Sequence, residues 1–365
     1  MLVGIDITSL VAGRGPARYT TEIVRAISRC CAKDDQFILY SPFEGQIDAL
    51  PVNFIHRLVP HKRFVPWLNW SLPRQAKKDK IEVMFFPAND FWVLSYIKSI
   101  VTLHDVAPAT MLSAYHHTWL DKLQKKIQMH ALKHIVSTVI TVSKYSSIQI
   151  KNNTNIKSDK ICVIYNGVSN CYCKRTQQIQ KSEFILYVGG FDRRKNLERL
   201  LQSYKYLINK GTKEKLVLAG SGGGNRKLYY NIDQLVEETG LKGFVEIIVE
   251  PTDERLMDLY TNARLLVQPS LIEGFGLTVL EAMACGCPVA CSNAASLPEV
   301  GGDAVVYFNP YDVQNMADVM QRVLNDEGLS REMIDKGYIQ ADRFSWTKAG
   351  EEVYKTLHNA CAAGK

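Results

Sequence analysis

A chain of 365 residues with 46% apolar residues is long enough for two domains of ordinary size and too apolar to be disordered. Its net charge of +7 (pI near 8.8) suits phosphate ligands or an anionic membrane surface, and falls short of a nucleic-acid-binding composition. No apolar run approaches the ~18 residues of a membrane span, which predicts a soluble or peripheral protein. The start, Met1-Leu-Val-Gly-Ile-Asp6, lacks a basic n-region and carries an early acid, so it reads as a first strand rather than a signal peptide.

Leu2–Ile7 is a compact apolar strand. Gly13 and Gly15 follow in a loop, and then comes a helix with Tyr19, Ile23, Ile27 and Cys30 on one face. A strand, a glycine-bearing loop and a helix start make an anion-ready turn, although two loop glycines also simply permit a turn. Strand-like runs recur at Phe37–Tyr40, Asn53–Leu58, Val83–Phe86, Ile100–Leu103 and Val139–Val142, with helical stretches between several of them. That alternation predicts an α/β doubly wound domain.

Pro60–Lys80 stands apart. Lys62, Arg63, Arg74, Lys77, Lys78 and Lys80 face one acid, Asp79, an excess of +5, with Phe64, Trp67 and Trp70 interleaved. The composition suits anionic headgroups, or a solvated basic surface with its tryptophans packed inward. His104-Asp105 closes the strand at Leu103, at the carboxyl end where α/β sites are built; a core histidine at a strand edge is the alternative.

Cys171–Ser182 is polar and reads as a linker. A second strand–helix series opens at Phe184–Val188 and runs through Gly189-Gly-Phe-Asp-Arg-Arg-Lys-Asn into a helix from Leu197. Arg194 and Lys195 at that helix's start oppose its dipole unless an anion joins them, and a diphosphate would supply one. Leu216–Ala219 leads to Gly220-Ser-Gly-Gly-Gly224, a dinucleotide fingerprint broken at Asn225 that leaves an NAD enzyme open. Further strands read at Phe244–Glu250, Pro288–Cys291 and Ala304–Phe308, and a last helix begins at Phe344-Ser-Trp346.

Between these strands lies the stretch richest in chemistry. The strand Leu265–Gln268 ends at Pro269, the loop Gly274-Phe-Gly276 brings bare backbone forward, and Leu277–Cys285 reads as a helix whose first N–H groups favour an anion. Glu273 and Glu281 bracket that helix start. The same spacing also suits an ordinary strand–turn–helix.

Nine cysteines, none in C-x-x-C, predict free thiols in a reducing cytoplasm. His130 and His134 lie four apart without a third ligand, and no Asp-x-Asp occurs, so neither a metal site nor a metal-bound diphosphate is expected.

Glu273, seven residues, Glu281, with Gly-Phe-Gly between, resembles the signature of the retaining glycosyltransferases of family four. The likeness extends over about residues 1 to 360, with Arg194-Lys195-Asn196 and His104-Asp105 as further landmarks. It implies the GT-B fold, two Rossmann-like doubly wound parallel-sheet domains facing across a cleft: 1–170 on the acceptor side, a linker 171–182, 183–345 for the nucleotide sugar, and a C-terminal helix 346–365 packing back on the first domain.

The resemblance also implies site roles. Glu273 would hold donor-sugar hydroxyls and Glu281 the ribose. Arg194 and Lys195 would take the diphosphate, Gly190 standing where many members carry an arginine. His104 would lie by the sugar. Backbone of Gly274, Phe275, Gly276 and Leu277, together with Thr278, would line the donor, and Gly13 and Gly15 would approach its phosphates. No cofactor or metal is implied beyond the nucleoside diphosphate sugar. The overall cast is similar to bacterial mannosyltransferases that use GDP-mannose in surface polysaccharide synthesis. That cast implies a glycan or lipid-linked acceptor and a cytoplasmic protein peripheral to the membrane. Another nucleotide sugar, such as a UDP- or dTDP-sugar, an NAD-dependent oxidoreductase and a non-catalytic sugar-nucleotide-binding protein are the alternatives.

Overall fold

The computed structural model describes residues 1–11, 14–45, 47–93, 95, 97–104, 119–169, 172, 184–222 and 228–362; for residues 14 and 119–125 it describes the backbone only. The first sheet contains β1 (Leu2–Asp6), β2 (Gln36–Ser41), β3 (Phe54–Leu58), β4 (Val83–Phe86), β5 (Lys98–Leu103), β6 (Val136–Thr141) and β7 (Ile161–Val163). Its order is β3-β2-β1-β4-β5-β6-β7, and every pairing is parallel. The central strands are buried on both faces, which is why they read as continuous apolar runs. The short β7, with all three residues only half-buried, has no such signature, and the sequence reading assigns no strand there.

The second sheet contains β8 (Phe184–Gly190), β9 (Lys215–Ser221), β10 (Val245–Val249), β11 (Leu265–Gln268), β12 (Val289–Ser292) and β13 (Val306–Phe308). It runs β10-β9-β8-β11-β12-β13, again all parallel. Each sheet therefore reverses its order beside its first strand, between β1 and β4 and between β8 and β11. Ligand sites of open α/β sheets form outside the carboxyl ends of strands at such a reversal.

The chain divides into two units, Met1–Gly167 with Ser345–Lys365, and Val168–Phe344. The expected linker lies almost wholly outside the described residues. In the first unit the last helix, Trp346–Ala362, packs along the first, Arg14–Cys30. Small residues allow this: a Cβ on Gly350 would stand 2.5 Å from that of Ala26. The ring of Tyr19 meets Trp346 edge-on at 5.8 Å. The second unit's core gathers Ile185, Tyr187, Leu200, Tyr204, Leu218 and Val267 between the sheet and the helices that cross it.

Within Pro60–Lys80, residues 64–78 are helical. A turn at Phe64–Pro66 passes through a π turn, Trp67–Ser71, into the helix Leu72–Lys78. The two tryptophans part company here. Trp67 is 0% exposed and joins the first unit's core, whereas Trp70 is 57% exposed. Trp67 is thus removed from the surface expected to meet headgroups, because the wide turn directs its ring, with Leu68 and Leu72, inward.

Candidate active site

The second unit's reversal point is built by two turns, one leaving β8 and one leaving β11. After β8, Arg193–Lys195 forms a 3₁₀ turn capped by Asp192, whose Oδ1 accepts the Arg194 N–H at 3.2 Å. Asn196 then takes a left-handed conformation (φ 59°), and the helix Leu197–Asn209 begins. The Asn196 amide donates to the carbonyls of Pro269 (3.1 Å) and Pro310 (2.7 Å), and the Leu271 N–H donates to Arg194 O at 2.8 Å. The two turns are therefore tied by one backbone hydrogen bond and by the Asn196 side chain.

After β11 the chain passes Glu273 and enters the helix Leu277–Ala284 through Gly276 at φ 109°, a conformation that favours glycine. The buried Ser296 hydroxyl lies 2.9 Å from the carbonyls of both Glu273 and Phe275 and braces the loop. Phe275 is buried edge-on against Phe344 at 5.6 Å, so what it offers a ligand is backbone. The first-turn N–H groups of Leu277 and Thr278 belong to the helix end that favours an anion.

The Glu273 carboxylate is held through one oxygen. Its Oε1 accepts from Lys195 Nζ at 2.6 Å, Gln268 Nε2 at 2.8 Å and Ser270 Oγ at 2.8 Å. Burial would push this carboxyl up, but the Lys195 ammonium and the hydrogen bonds from Lys195, Ser270 and Gln268 outweigh it. The group sits below the ordinary glutamate value.

This corrects the reading of Arg194 and Lys195 as cations that lack an anion. Arg194 Nε pairs with Asp192 Oδ1 at 2.9 Å and Lys195 with Glu273, and both cations precede the helix in their own turn. Gly190 leaves no room for the arginine of other members without a shift, since a Cβ there would lie 3.2 Å from Asp192 Oδ2. Glu281, 3% exposed, lies inside the helix and accepts from the buried Tyr260 hydroxyl at 3.0 Å.

In the first unit, His104 follows β5. Its ring Nε2 lies 2.8 Å from Pro87 O, which only accepts, so Nε2 carries the proton. Its backbone N–H donates to Asn89 Oδ1 at 2.9 Å, and Tyr19 meets its ring edge-on at 4.5 Å. The helix expected to follow Gly15 begins at Arg14, placing Gly15 in its first turn rather than in the loop. Gly13 and Asp105 lie outside the described residues. Near the same sheet's reversal point, Asp6 is buried and accepts the Thr8 N–H at 2.8 Å; burial pushes its carboxyl up to about 7. His130 and His134 are exposed, and no group of three metal-ligating side chains occurs among the described residues.

Sequence reasoning missed Asp192, Gln268, Ser270, Ser296 and Tyr260. Ser296 and Tyr260 find partners more than twenty residues away, which only the fold sets; Asp192, Gln268 and Ser270 bond within five residues, so their signal was local and went unread.

Comparison with known proteins shows which family the chain belongs to. Residues 13–170 match the family model "Glycosyltransferase Family 4" and residues 173–340 match "Glycosyl transferases group 1". The chain is 33% identical to the O-antigen chain mannosyltransferase B of Escherichia coli, over 91% of this chain and 92% of that protein. The chain is a family-four glycosyltransferase. This glycosyltransferase is also 30% identical to a serotype-specific mannosyltransferase, WbdA, of Escherichia coli, over 68% of its own length but 32% of that longer protein. Among solved structures it superposes on sucrose-phosphate synthase from Thermosynechococcus elongatus with a TM-score of 0.78 at 17% identity, covering 100% of both chains. The glycosyltransferase thus has the GT-B architecture of two Rossmann-like domains, and family membership displaces the oxidoreductase reading of the broken glycine motif.

Proposed function

We propose that this glycosyltransferase moves mannose from GDP-mannose, with retention of configuration, to a glycan or lipid-linked acceptor in O-antigen-type polysaccharide synthesis. The observation that carries the reading is the Lys195–Glu273 pair at the carboxyl ends of β8 and β11. It sets a cation for a diphosphate beside a carboxylate for sugar hydroxyls, at the point of the sheet where such a ligand binds. The likeness to O-antigen mannosyltransferases supports the choice of sugar.

In this reading the bond from the anomeric carbon to the diphosphate oxygen breaks while the acceptor oxygen approaches on the same face. The acceptor proton passes to the departing phosphate. Arg194, Lys195 and the N–H groups opening the helix Leu277–Ala284 offset the charge growing on the leaving group. Glu273 holds the sugar and Glu281 the ribose. The cationic pair takes the part a divalent ion plays elsewhere, so transfer is expected to survive EDTA.

The full chain should be tested by thermal shift against GDP, UDP, ADP and NAD, since a ligand of the folded state raises apparent stability. It should then be given GDP-mannose and a mannose-terminated acceptor, and the anomeric configuration of the product read by NMR. Stabilisation by UDP and not GDP would move the donor to a UDP-sugar, and an inverted product would remove the same-face mechanism.

A further inference from the structure

Gln268 ends β11 with its side chain completely buried. Its amide nitrogen spends both hydrogens, one on Ser270 Oγ at 3.0 Å and one on Glu273 Oε1 at 2.8 Å. Ser270, its hydroxyl oxygen occupied as an acceptor, turns its own hydrogen to the same Oε1. With Lys195, three donors converge on one oxygen, which has lone-pair capacity for about two good bonds. Oε1 is therefore used up by the protein, and Oε2 is the carboxylate oxygen left for anything that arrives.

The cost of this arrangement sits on Gln268. Its carbonyl Oε1 is buried and has no hydrogen-bond partner. Turning the amide over would not help, because it would set that carbonyl against the Glu273 carboxylate. An unpaired buried carbonyl is destabilising, and an apolar side chain of the same length would avoid it. Packing β11 alone therefore does not account for a glutamine here.

We propose that Gln268, acting with Ser270, is a positioning residue for donor-sugar recognition: it dedicates Oε1 of Glu273 to the protein and presents Oε2 to the sugar. This deepens the reading of the site given above and rests on it for the identity of the ligand. The charged or titratable groups around Glu273 are Lys195, the Asp192–Arg194 pair on the same turn and Tyr187 on β8. None of these is altered by a change at Gln268.

The test compares wild type with Gln268→Met, Gln268→Glu and Ser270→Ala in the full chain. Met keeps the length, removes both donors and also removes the unpaired carbonyl, so the variant should fold with unchanged or higher melting temperature. Glutamates labelled with ¹³C at the carboxyl report the Glu273 titration without any donor, the signal being assigned by its loss in Glu273→Gln. Loss of the Gln268 donors should move that titration upward in Gln268→Met, further upward in Gln268→Glu, and upward in Ser270→Ala.

With the sugar nucleotide, kcat/KM should fall about ten- to hundredfold in Gln268→Met, as expected for losing a hydrogen bond to a charged group, while affinity for the free nucleoside diphosphate stays within about twofold. A folded Gln268→Met protein with wild-type titration and wild-type kcat/KM overturns the proposal. An unchanged titration with a fall in free-nucleotide affinity also overturns it, because the residue would then serve the nucleotide. If wild type transfers nothing from GDP-mannose while the titration still moves, the donor reading fails and the positioning of Glu273 stands.

Discussion

Lys195 and Glu273, far apart in sequence, meet at 2.6 Å with both side chains largely buried. The roles implied for them, Lys195 on the diphosphate and Glu273 on the sugar, fall on two side chains that form one ion pair. Lys195→Ala should therefore do two things. It should lower kcat by about 10²–10³, by analogy with losing one preorganised donor to growing charge. It should also destabilise the fold, because an isolated buried carboxylate remains, a loss of up to about 3–5 kcal/mol where such a pair is fully desolvated. The double variant Lys195→Met with Glu273→Gln should recover much of the melting temperature and none of the turnover. Recovery of turnover in the double variant would remove the cationic role of Lys195. The folded Glu273 carboxyl lies below its ordinary value, so the pair's contribution is present above the unfolded value of about 4.3. It is lost as pH falls through the lower folded value.

The second glutamate should behave differently. Glu281 is inside the helix and bonded to Tyr260, away from the three donors that hold Glu273. Glu281→Ala should weaken free GDP if it grips the ribose. Tyr260→Phe should do so by a smaller factor, about three- to tenfold, in keeping with one hydrogen bond. Glu273→Ala should leave free GDP nearly untouched and reduce turnover, since that nucleotide lacks the sugar. Titration calorimetry with GDP separates the two, and wild-type binding by Glu281→Ala would show that the ribose lies elsewhere.

Much of the architecture was legible because parallel strands buried on both faces write themselves as apolar runs: Leu265–Gln268 and Val83–Phe86 have the same bounds in sequence and structure. The Glu-x7-Glu spacing and the Arg-Lys pair could be singled out as a motif because each is local. What was not legible is what long-range packing decides. Lys195 reads as a cation awaiting an anion until β8 and β11 set Glu273 beside it. Gln268 is close in sequence to Glu273, yet it reads as the polar end of a strand until the turn after β11 brings the carboxylate back onto its amide. Trp67 and Trp70 have equal weight in sequence, and only the π turn that carries both separates core from surface.

Asp6 carries a prediction in pH. Burial raises its carboxyl from 3.8 to about 7, with the Thr8 N–H opposing this and Asp90 adding to it. A carboxyl that holds its proton more tightly when folded favours the fold at low pH. The unfolded chain releases that proton first, so stability falls as pH rises from about 4 to about 7 and is level above that. The size is on the order of 2–4 kcal/mol. Asp6→Asn, which retains an acceptor for Thr8, should be more stable than wild type at pH 8 and closer to it at pH 5. Parallel stability curves for the two proteins over pH 4–8, from urea unfolding, would refute this assignment.

The last prediction concerns the basic helical run. Trp70, Arg74, Lys77 and Lys78 are exposed at helical spacing and share one face, and Phe64 and Val65 are exposed one turn earlier. The single acid of the run does not offset these cations, because Asp79 is engaged inward by Arg57 at 2.9 Å, Tyr40 at 2.7 Å and Gln75 at 3.1 Å. An exposed tryptophan above unopposed cations is the pattern of a surface that lies against anionic headgroups, each cation there contributing about 1 kcal/mol. No described helix is long and apolar enough to cross a membrane. Neutralising Arg74, Lys77 and Lys78 together to glutamine should lower the fraction sedimenting with phosphatidylserine vesicles at least tenfold in partition coefficient, and raising the salt should do the same to wild type. Trp70→Ala should weaken sedimentation further with no loss of melting temperature. Trp67→Ala should instead cost about 3–5 kcal/mol of stability, because its ring belongs to the core. If the triple variant and wild type sediment alike at low salt, the face is an ordinary solvated surface, and the acceptor must reach this glycosyltransferase without help from that helix.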